Sequence, residues 1–141
     1  MIKKASAVWK GGFKDGGGSI STESGALNAA PYAVNTRFEN VKGTNPEELI
    51  AAAHASCFSM ALSLLLGEAG LTAESIETHA AVSLEKVDGG FEITSSHLDV
   101  VARVPGADQA KFLEIAKQAK AGCPVSKVLK AKVTMDAKLQ S

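Results

Sequence analysis

The two cysteines of this 141-residue chain are its strongest candidates for chemistry. Cys57 lies in an apolar segment and Cys123 in a Gly-Cys-Pro sequence, 66 positions apart, so only the fold can bring them together. Two thiols are too few for a disulfide-rich scaffold or for a zinc site made of thiolates alone. As a pair, however, one thiol can act as a nucleophile and the other can then close a disulfide.

A nucleophilic cysteine must be a thiolate, and burial in apolar surroundings raises the pKa of a thiol, so Cys57 needs a cation nearby. Arg37, one of only two arginines, precedes the Cys57 segment and is the better candidate. Its planar guanidinium can stabilise a thiolate and also donate paired hydrogen bonds to a peroxide or a carboxylate. Glu47 or Glu48 can hold the guanidinium, although both also suit the first turn of a helix.

Simpler interpretations of these residues stay open at this point. Each cysteine can be a small buried hydrophobe, and His54 can be an ordinary core histidine. A zinc site from His54, Cys57 and Cys123 has two ligands one helical turn apart, but it lacks an obvious fourth ligand. In functional terms, the alternatives to thiol catalysis are a redox sensor or disulfide exchanger, a binding module with an apolar cleft, and a zinc module.

The segment that carries Cys57 is predicted to be a long helix. Asn45 suits the N-cap and Pro46 the first helical position, while Gly67 and Gly70 mark the end. Apolar residues that recur at helical spacing support this prediction. They are Leu49, Ile50, Ala53, Cys57, Met60, Ala61, Leu64 and Leu65.

The uncharged stretch from Leu49 to Gly67 is about long enough to cross a bilayer. Its serines, its histidine and its acidic flanks favour instead a buried helix of a soluble protein. A helix that is apolar on every side must be covered all round, and one short chain has little to cover it with, which favours a homodimer. The N-terminus lacks the apolar run of a secretory signal, so we expect a cytoplasmic protein that is not in a membrane.

The remaining segments predict an α+β fold in a single domain over residues 1–141. The chain has 45% hydrophobic and 21% charged residues, and its 15 basic residues balance 15 acidic ones, so no nucleic-acid partner is expected. A second helix is predicted over Ala107–Ala121, with Phe112, Ile115 and Ala119 on one side. The turn Asp88-Gly89-Gly90 favours a hairpin, and antiparallel pairing is expected throughout. The predicted strands are Ala5–Trp9, Ser19–Thr22, Ala33–Phe38, His79–Val87, Phe91–Val104 and Lys132–Leu139.

Several sequence blocks, in this order along essentially the whole chain, resemble the OsmC/Ohr family and most closely its OsmC branch. The specific combination is Asn-Pro-Glu-Glu-Leu, then Cys-Phe, then much later Cys-Pro-Val-Ser. The blocks are Ser21–Gly25, Asn35–Phe38, Gly43–Leu49, Ala53–Ala61 and Ala121–Ser126.

The resemblance implies a thiol-dependent peroxidase that reduces organic hydroperoxides, and hydrogen peroxide less well. It assigns Cys57 as the peroxidatic cysteine, Cys123 as the resolving cysteine, Arg37 as the active-site arginine and Glu47 as its glutamate. It further implies antiparallel sheets wrapped around a central apolar helix, in an intertwined homodimer with its active sites at the subunit interface. No metal or other cofactor is implied, and the reductant is an external dithiol, of which a lipoyl protein is the example suggested.

One geometric conflict follows from these assignments. Ten residues separate Glu47 from Cys57, and an unbroken helix rises about 15 Å over that length, too far for both to touch one guanidinium. We therefore expect either a break in the helix or a contribution from a second subunit.

Overall fold

The computed structural model describes residues 1–140, and its contacts divide the chain into two compact units, residues 1–49 and the chain from Ile50 onward. The first unit contains a three-stranded antiparallel sheet in the order β1-β2-β3 and one short helix, α1. These elements are β1 (Ala5–Lys10), β2 (Gly17–Thr22), β3 (Ala30–Tyr32) and α1 (Val34–Phe38).

The third strand was predicted over Ala33–Phe38, and this prediction is wrong, because that segment forms helix α1 and the strand lies earlier, at Ala30–Tyr32. The Thr36 hydroxyl accepts a hydrogen bond from the Ala33 amide and donates one to the Ala33 carbonyl, both 2.9 Å long. Local bonds between side chain and backbone of this kind compete with strand pairing. They therefore turn a segment of high strand propensity into a helical turn that carries Arg37.

Helix α2 runs from Pro46 to Glu68, beginning in the first unit and continuing in the second. As predicted, Asn45 caps it: its Oδ1 accepts the Glu48 amide at 2.8 Å. At the other end Gly70 has a φ of 78°, and the Leu71 amide reaches back to the Leu66 carbonyl at 2.9 Å. This is a glycine-terminated helix end, and between the two ends the helix is unbroken.

The second unit pairs three strands around the central β5. They are β4 (Ser75–Val87), β5 (Gly90–Arg103) and β6 (Lys132–Gln140). The predicted hairpin between β4 and β5 is confirmed, and Gly89 and Gly90 take φ values of 91° and 143° that only glycine adopts readily.

The prediction of antiparallel pairing throughout is wrong for β6, which lies parallel to β5. Two helices connect these strands, α3 (Gln109–Gly122) and α4 (Pro124–Val128). A helical crossover of this length carries the chain back to the end of the sheet where β5 began, so the next strand must run parallel. Cys123 lies between the two crossover helices.

The core of the second unit lies between α2, β5 and α3. The predicted inner face of α3 is confirmed, since Phe112, Ile115 and Ala119 are buried. Of the apolar residues at helical spacing on α2, Met60 and Leu64 are 71% and 64% exposed. Apolar residues occur on every side of α2, so the spacing of apolar and polar residues does not identify which side of the helix is buried. The α2 residues that are fully buried are His54, Phe58, Leu62 and Leu66.

Within residues 1–140, α2 is the one helix whose length and hydropathy would suit a bilayer crossing, a test that the core helices of soluble proteins also pass. Within a single chain only one side of α2 is buried, along a stripe formed by every fourth residue. The opposite side leaves Ala52, Ser56, Met60, Ser63 and Leu64 exposed. We call this surface the open face of α2. Its side chains are uncharged, and the largest of them, Met60 and Leu64, are apolar.

Candidate active site

Cys57 and Cys123 meet in the second unit, where Cys57 packs against the core cluster that contains Cys123 and each thiol shifts the pKa of the other. Cys57 is part-buried on α2, whereas Cys123 is 0% exposed. Cys123 ends α3 and is also the N-cap of α4, with Pro124 at the first helical position. Because proline disfavours a helical conformation at the residue before it, the chain turns at Cys123 and carries its side chain toward α2. Both thiols are free.

The surroundings shift the pKa values of the two thiols in opposite directions. Burial raises the pKa of Cys57, and the hydrogen bond to Cys123 adds to the effect. Burial alone would also raise the pKa of Cys123, but hydrogen bonds from Cys57 and from the Ser126 amide and hydroxyl outweigh it and lower that pKa. The pKa of Cys57 is therefore shifted against thiolate formation, and Cys57 needs a cation to become the thiolate.

His54 lies one helical turn before Cys57 on α2 and is a fully buried, hydrogen-bonded side chain. Its Nδ1 lies 2.7 Å from Ser96 Oγ on β5, and its Nε2 lies 2.8 Å from Ser126 Oγ on α4. Burial lowers the pKa of His54, so the imidazole is neutral at neutral pH. The core-histidine interpretation is confirmed, and both nitrogens that a zinc ion would need are already bonded to hydroxyls.

Sequence reasoning gave no role to Ser96 or Ser126. Ser96 sits in the middle of a strand with no distinguishing neighbour, so nothing short of the fold could have identified it. Ser126 did offer a signal. It stands three residues after the Cys123 N-cap, the position at which a side chain at the start of a helix faces the capping residue.

Arg37 and Glu47 form the charged group of the first unit. The Nη2 of Arg37 lies 2.6 Å from Glu47 Oε1, and its Nε lies 3.1 and 3.2 Å from the two carboxylate oxygens. The expectation that Glu47 or Glu48 would hold this guanidinium is confirmed for Glu47, while Glu48 is exposed. These bonds use the Nε and Nη2 groups, so the Nη1 group of Arg37 is not bound by Glu47.

A cavity of about 180 Å³ lies beside the guanidinium in the first unit. Its walls are mostly aromatic and aliphatic, and the Arg37 Cζ lies 5.5 Å from the centre of the Phe38 ring. The rings of Trp9 and Tyr32 pack on each other across the sheet, 5.5 Å between centres. The lining residues are Trp9, Phe13, Tyr32, Ala33, Val34, Arg37, Phe38 and Pro46.

The unbroken course of α2 excludes one of the two arrangements expected for the active-site residues. Glu47 and Cys57 lie on the same helix, about 15 Å apart along its axis, so one guanidinium does not touch both within that helix. No helix break brings them together. The expected helix break is therefore wrong, and a contribution from a second subunit stays a prediction.

The other two histidines also have polar partners. His79 contacts Glu77 at 2.9 Å, and His97 contacts Thr134, Asp99 and Asp136. The ligand atoms of His97, Asp99 and Asp136 all lie within 4.8 Å of one another, close enough for a cation. Both carboxylates are exposed, and exposed acidic groups of this kind are common on proteins without a metal.

Comparison with known proteins gives consistent matches along the chain. A family model described as OsmC-like protein matches residues 39–138. The chain is 62% identical over 139 residues to peroxiredoxin OsmC of Escherichia coli (strain K12), covering 99% of this chain and 97% of the relative. It is 33% identical over 124 residues to organic hydroperoxide resistance protein OhrB of Bacillus subtilis (strain 168), covering 87% and 88%.

Solved structures give the same result for the fold. The crystal structure of OhrB of Bacillus subtilis matches with a TM-score of 0.69 and 30% identity, over 97% of this chain and 98% of that one. An OsmC-like protein of unknown function from Vibrio cholerae matches with a TM-score of 0.77 over 97% and 99% of the chains. Its identity of 16% makes that a likeness of fold alone.

Proposed function

This chain belongs to the OsmC-like protein family, and on that premise we propose that it is a cysteine-based peroxidase of organic hydroperoxides. The observation that carries the mechanism is the proximity of Cys57 and Cys123, two thiols that are far apart in sequence and packed together in the core of the second unit. We assign Cys57 as the peroxidatic cysteine and Cys123 as the resolving cysteine.

Access to solvent supports this order of action. Cys57 is partly exposed, so a peroxide can reach its sulfur, whereas Cys123 is 0% exposed and is shielded from an external oxidant. The raised pKa of Cys57 is the obstacle, because the thiol form is a poor nucleophile. A guanidinium beside Cys57 removes that obstacle by favouring the negative charge.

Arg37 is the guanidinium that we assign to this role, with Glu47 fixing its orientation. Because α2 is unbroken between Glu47 and Cys57, we propose that Arg37 and Glu47 of one subunit complete the site of the other in a homodimer. The open face of α2 supports this arrangement, since a second copy would cover apolar residues that one chain leaves in water.

The reaction then proceeds in three balanced steps. The Cys57 thiolate attacks the terminal peroxide oxygen; an S–O bond forms, the O–O bond breaks, and the alkoxide leaves and takes a proton to become the alcohol. We assign to the Nη1 group of Arg37 the hydrogen bond to the oxygen that gains charge. Cys123 then attacks the Cys57 sulfenic acid, which releases water and forms a disulfide. An external dithiol reopens it by exchange.

The aromatic cavity beside Arg37 supports a preference for organic over inorganic hydroperoxides. An alkyl or aryl group can leave water there while the peroxide oxygens stay at the guanidinium. Hydrogen peroxide has no apolar group to bury, so it gains only the polar part of the interaction.

Other properties complete the proposal. The reductant is a dithiol, and a protein-bound lipoyl group has the vicinal thiols that disulfide exchange requires. The chain is a soluble protein, and we place it in the cytoplasm, where thiols are kept reduced. Both compact units belong to one OsmC-like domain over residues 1–141, since solved relatives match across both units. We assign no metal and no cofactor to the reaction.

Stopped-flow consumption of cumene hydroperoxide, with dihydrolipoamide as reductant, tests the proposal. Wild type should turn over, Cys57→Ser should show no activity, and Cys123→Ser should consume one equivalent and stop with a trappable sulfenic acid on Cys57. Equal activity of wild type and Cys57→Ser would refute the proposal. Oxidation of the wild-type thiols without continued peroxide consumption would favour a redox sensor or a disulfide exchanger instead.

A further inference from the structure

We propose that His54 positions the Ser126 hydroxyl as a hydrogen-bond donor to the Cys123 thiolate, and thereby speeds closure of the Cys57–Cys123 disulfide. This inference rests on the proposed peroxidase function and assigns to it a positioning residue, His54, that acts through Ser126. Its basis is a buried chain of side chains from three elements: Ser96 on β5, His54 on α2, and Ser126 on α4.

The two tautomers of the neutral His54 ring have different consequences for Cys123. If Nε2 carries the proton, it donates to Ser126 Oγ, and the Ser126 proton is free for the Cys123 sulfur. If Nδ1 carries the proton, Ser126 must donate to Nε2 and has no proton for Cys123. Only the first tautomer permits a hydrogen bond from the Ser126 hydroxyl to a Cys123 thiolate.

Ser96 selects the first tautomer. Its side chain is 0% exposed, and within residues 1–140 its hydroxyl has a side-chain hydrogen bond only with His54 Nδ1. With Nδ1 unprotonated, the Ser96 hydroxyl donates to it and is satisfied. With Nδ1 protonated, Ser96 would accept and its own buried proton would lack an acceptor, an arrangement that costs about 1–3 kcal/mol.

The Ser126 contact matters most after Cys57 has been oxidised. In the reduced pair, the hydrogen bond from the Cys57 thiol is the strongest of those that favour the Cys123 thiolate, followed by the amide and hydroxyl of Ser126. Oxidation of Cys57 to the sulfenic acid removes that thiol proton. The neighbours that remain at Cys123 are then those of the α4 turn, in which Ser126 stands three residues after the Cys123 N-cap.

Closure consumes the thiolate that these donors maintain. The Cys123 thiolate attacks the Cys57 sulfur, the S–S bond forms and the S–O bond breaks, and the leaving hydroxide takes up a proton to give water. The proton balances the one that Cys123 had released to solvent. A smaller thiolate fraction of Cys123 therefore slows closure of the disulfide at a given pH.

The test is a single turnover of the full-length protein with stoichiometric cumene hydroperoxide, quenched over time and pH. Mass spectrometry then counts the Cys57 thiol, the Cys57 sulfenic acid and the disulfide separately. Ser126→Ala should close at least about tenfold more slowly than wild type near pH 7, as expected for the loss of a hydrogen bond to a charged group. The midpoint of its pH–rate profile should rise by about one unit, and closure should recover at high pH.

Two further variants separate positioning from packing. His54→Leu removes both hydrogen bonds and should slow closure as Ser126→Ala does. His54→Gln retains an amide donor and a carbonyl acceptor and should restore part of the rate. Ser59→Ala, which deletes a serine of α2 bonded to Thr78 and the Ala55 carbonyl, is the matched control and should follow the wild-type profile.

If the pH–rate profile of Ser126→Ala has the same midpoint pH as that of wild type, the inference is overturned, whatever the maximum rate of closure. A wild type that never forms the Cys57 sulfenic acid would refute the proposed function instead. In that case, an ultraviolet titration of the Cys123 thiolate in Cys57→Ser and Cys57→Ser/Ser126→Ala decides the contact without peroxide. Equal midpoints in those two proteins would contradict it.

Discussion

Arg37 and Glu47 lie in a two-pronged ion pair in which the shortest contact, from Nη2 to Oε1, is 2.6 Å. The Glu47 side chain is 11% exposed and that of Arg37 is 36% exposed, so the carboxylate is the more fixed partner. It belongs to the first turn of α2, while Arg37 comes from α1. The guanidinium is therefore oriented before any ligand arrives, and its Nη1 group makes no hydrogen bond to Glu47.

Loss of this orientation should reduce peroxidase activity. We expect Glu47→Gln to lower kcat/KM for cumene hydroperoxide by about tenfold and Arg37→Lys by about a hundredfold, because lysine lacks the forked geometry. Steady-state assays with each variant provide the measurement. Glu48→Gln removes a neighbouring exposed carboxylate from the same helical turn and should keep wild-type activity; an equal loss there would point to a general charge effect on α2.

The cavity beside Arg37 should determine the preference between peroxides. Phe13→Ala removes an exposed aromatic side chain from its wall and should lower kcat/KM for cumene hydroperoxide by about tenfold, from the lost apolar contact area. Activity with hydrogen peroxide should change little. Phe91→Ala, at an exposed phenylalanine in the β4–β5 hairpin, is the control and should leave the ratio of the two activities unchanged.

The open face of α2 should be the subunit contact. Met60→Lys and Leu64→Asp place charges on it, and we expect sedimentation to report a monomer at micromolar concentration, with peroxidase activity lost as well. Wild type should sediment as a dimer. Val87→Lys, an equivalent change at an exposed valine of β4, should not alter the mass. Monomeric wild type with full activity would exclude a site shared between subunits.

His54 should make the folded state sensitive to acid. Its pKa is lowered by burial from the ordinary 6.5, so the unfolded chain takes up the proton first as the pH falls. The stabilisation from neutral His54 is complete above about pH 6.5 and is lost as the pH falls toward the lowered value, at no more than about 1.4 kcal/mol per pH unit.

Urea unfolding of wild type and His54→Gln between pH 8 and pH 4.5 measures this dependence. The gap in stability between them should be largest above about pH 6.5 and should narrow below it. His79→Gln, at an exposed histidine, should follow the wild-type curve. A gap that is independent of pH would mean that His54 is not held neutral in the fold.

Local signals along the chain predicted most of the elements that carry these residues. The cap at Asn45, the hairpin at Gly89 and the inner face of α3 all depend on a few neighbouring residues, and all were correctly predicted. The same holds for the contact of Arg37 with an acidic residue at the start of α2.

The incorrect predictions concern features that the pattern of apolar and polar residues does not determine. The direction of β6 depends on the crossover that precedes it, and the helix at Ala33–Phe38 depends on the local bonds of Thr36. The Ser96–His54–Ser126 chain joins three elements across the core. Short-range spacing contains no information about such a contact, so it emerges only from the folded chain.

The position of Cys123 between α3 and α4 has one more consequence for the molecule. A bond from there to Cys57 would turn the chain into a covalent ring that encloses the β4–β5 hairpin and α3. A ring of this size restricts the unfolded chain by about 4 kcal/mol. Each catalytic cycle would therefore alternate between a disulfide-bonded protein and a reduced protein of lower stability. A shortage of dithiol would leave most molecules in the disulfide-bonded, more stable state.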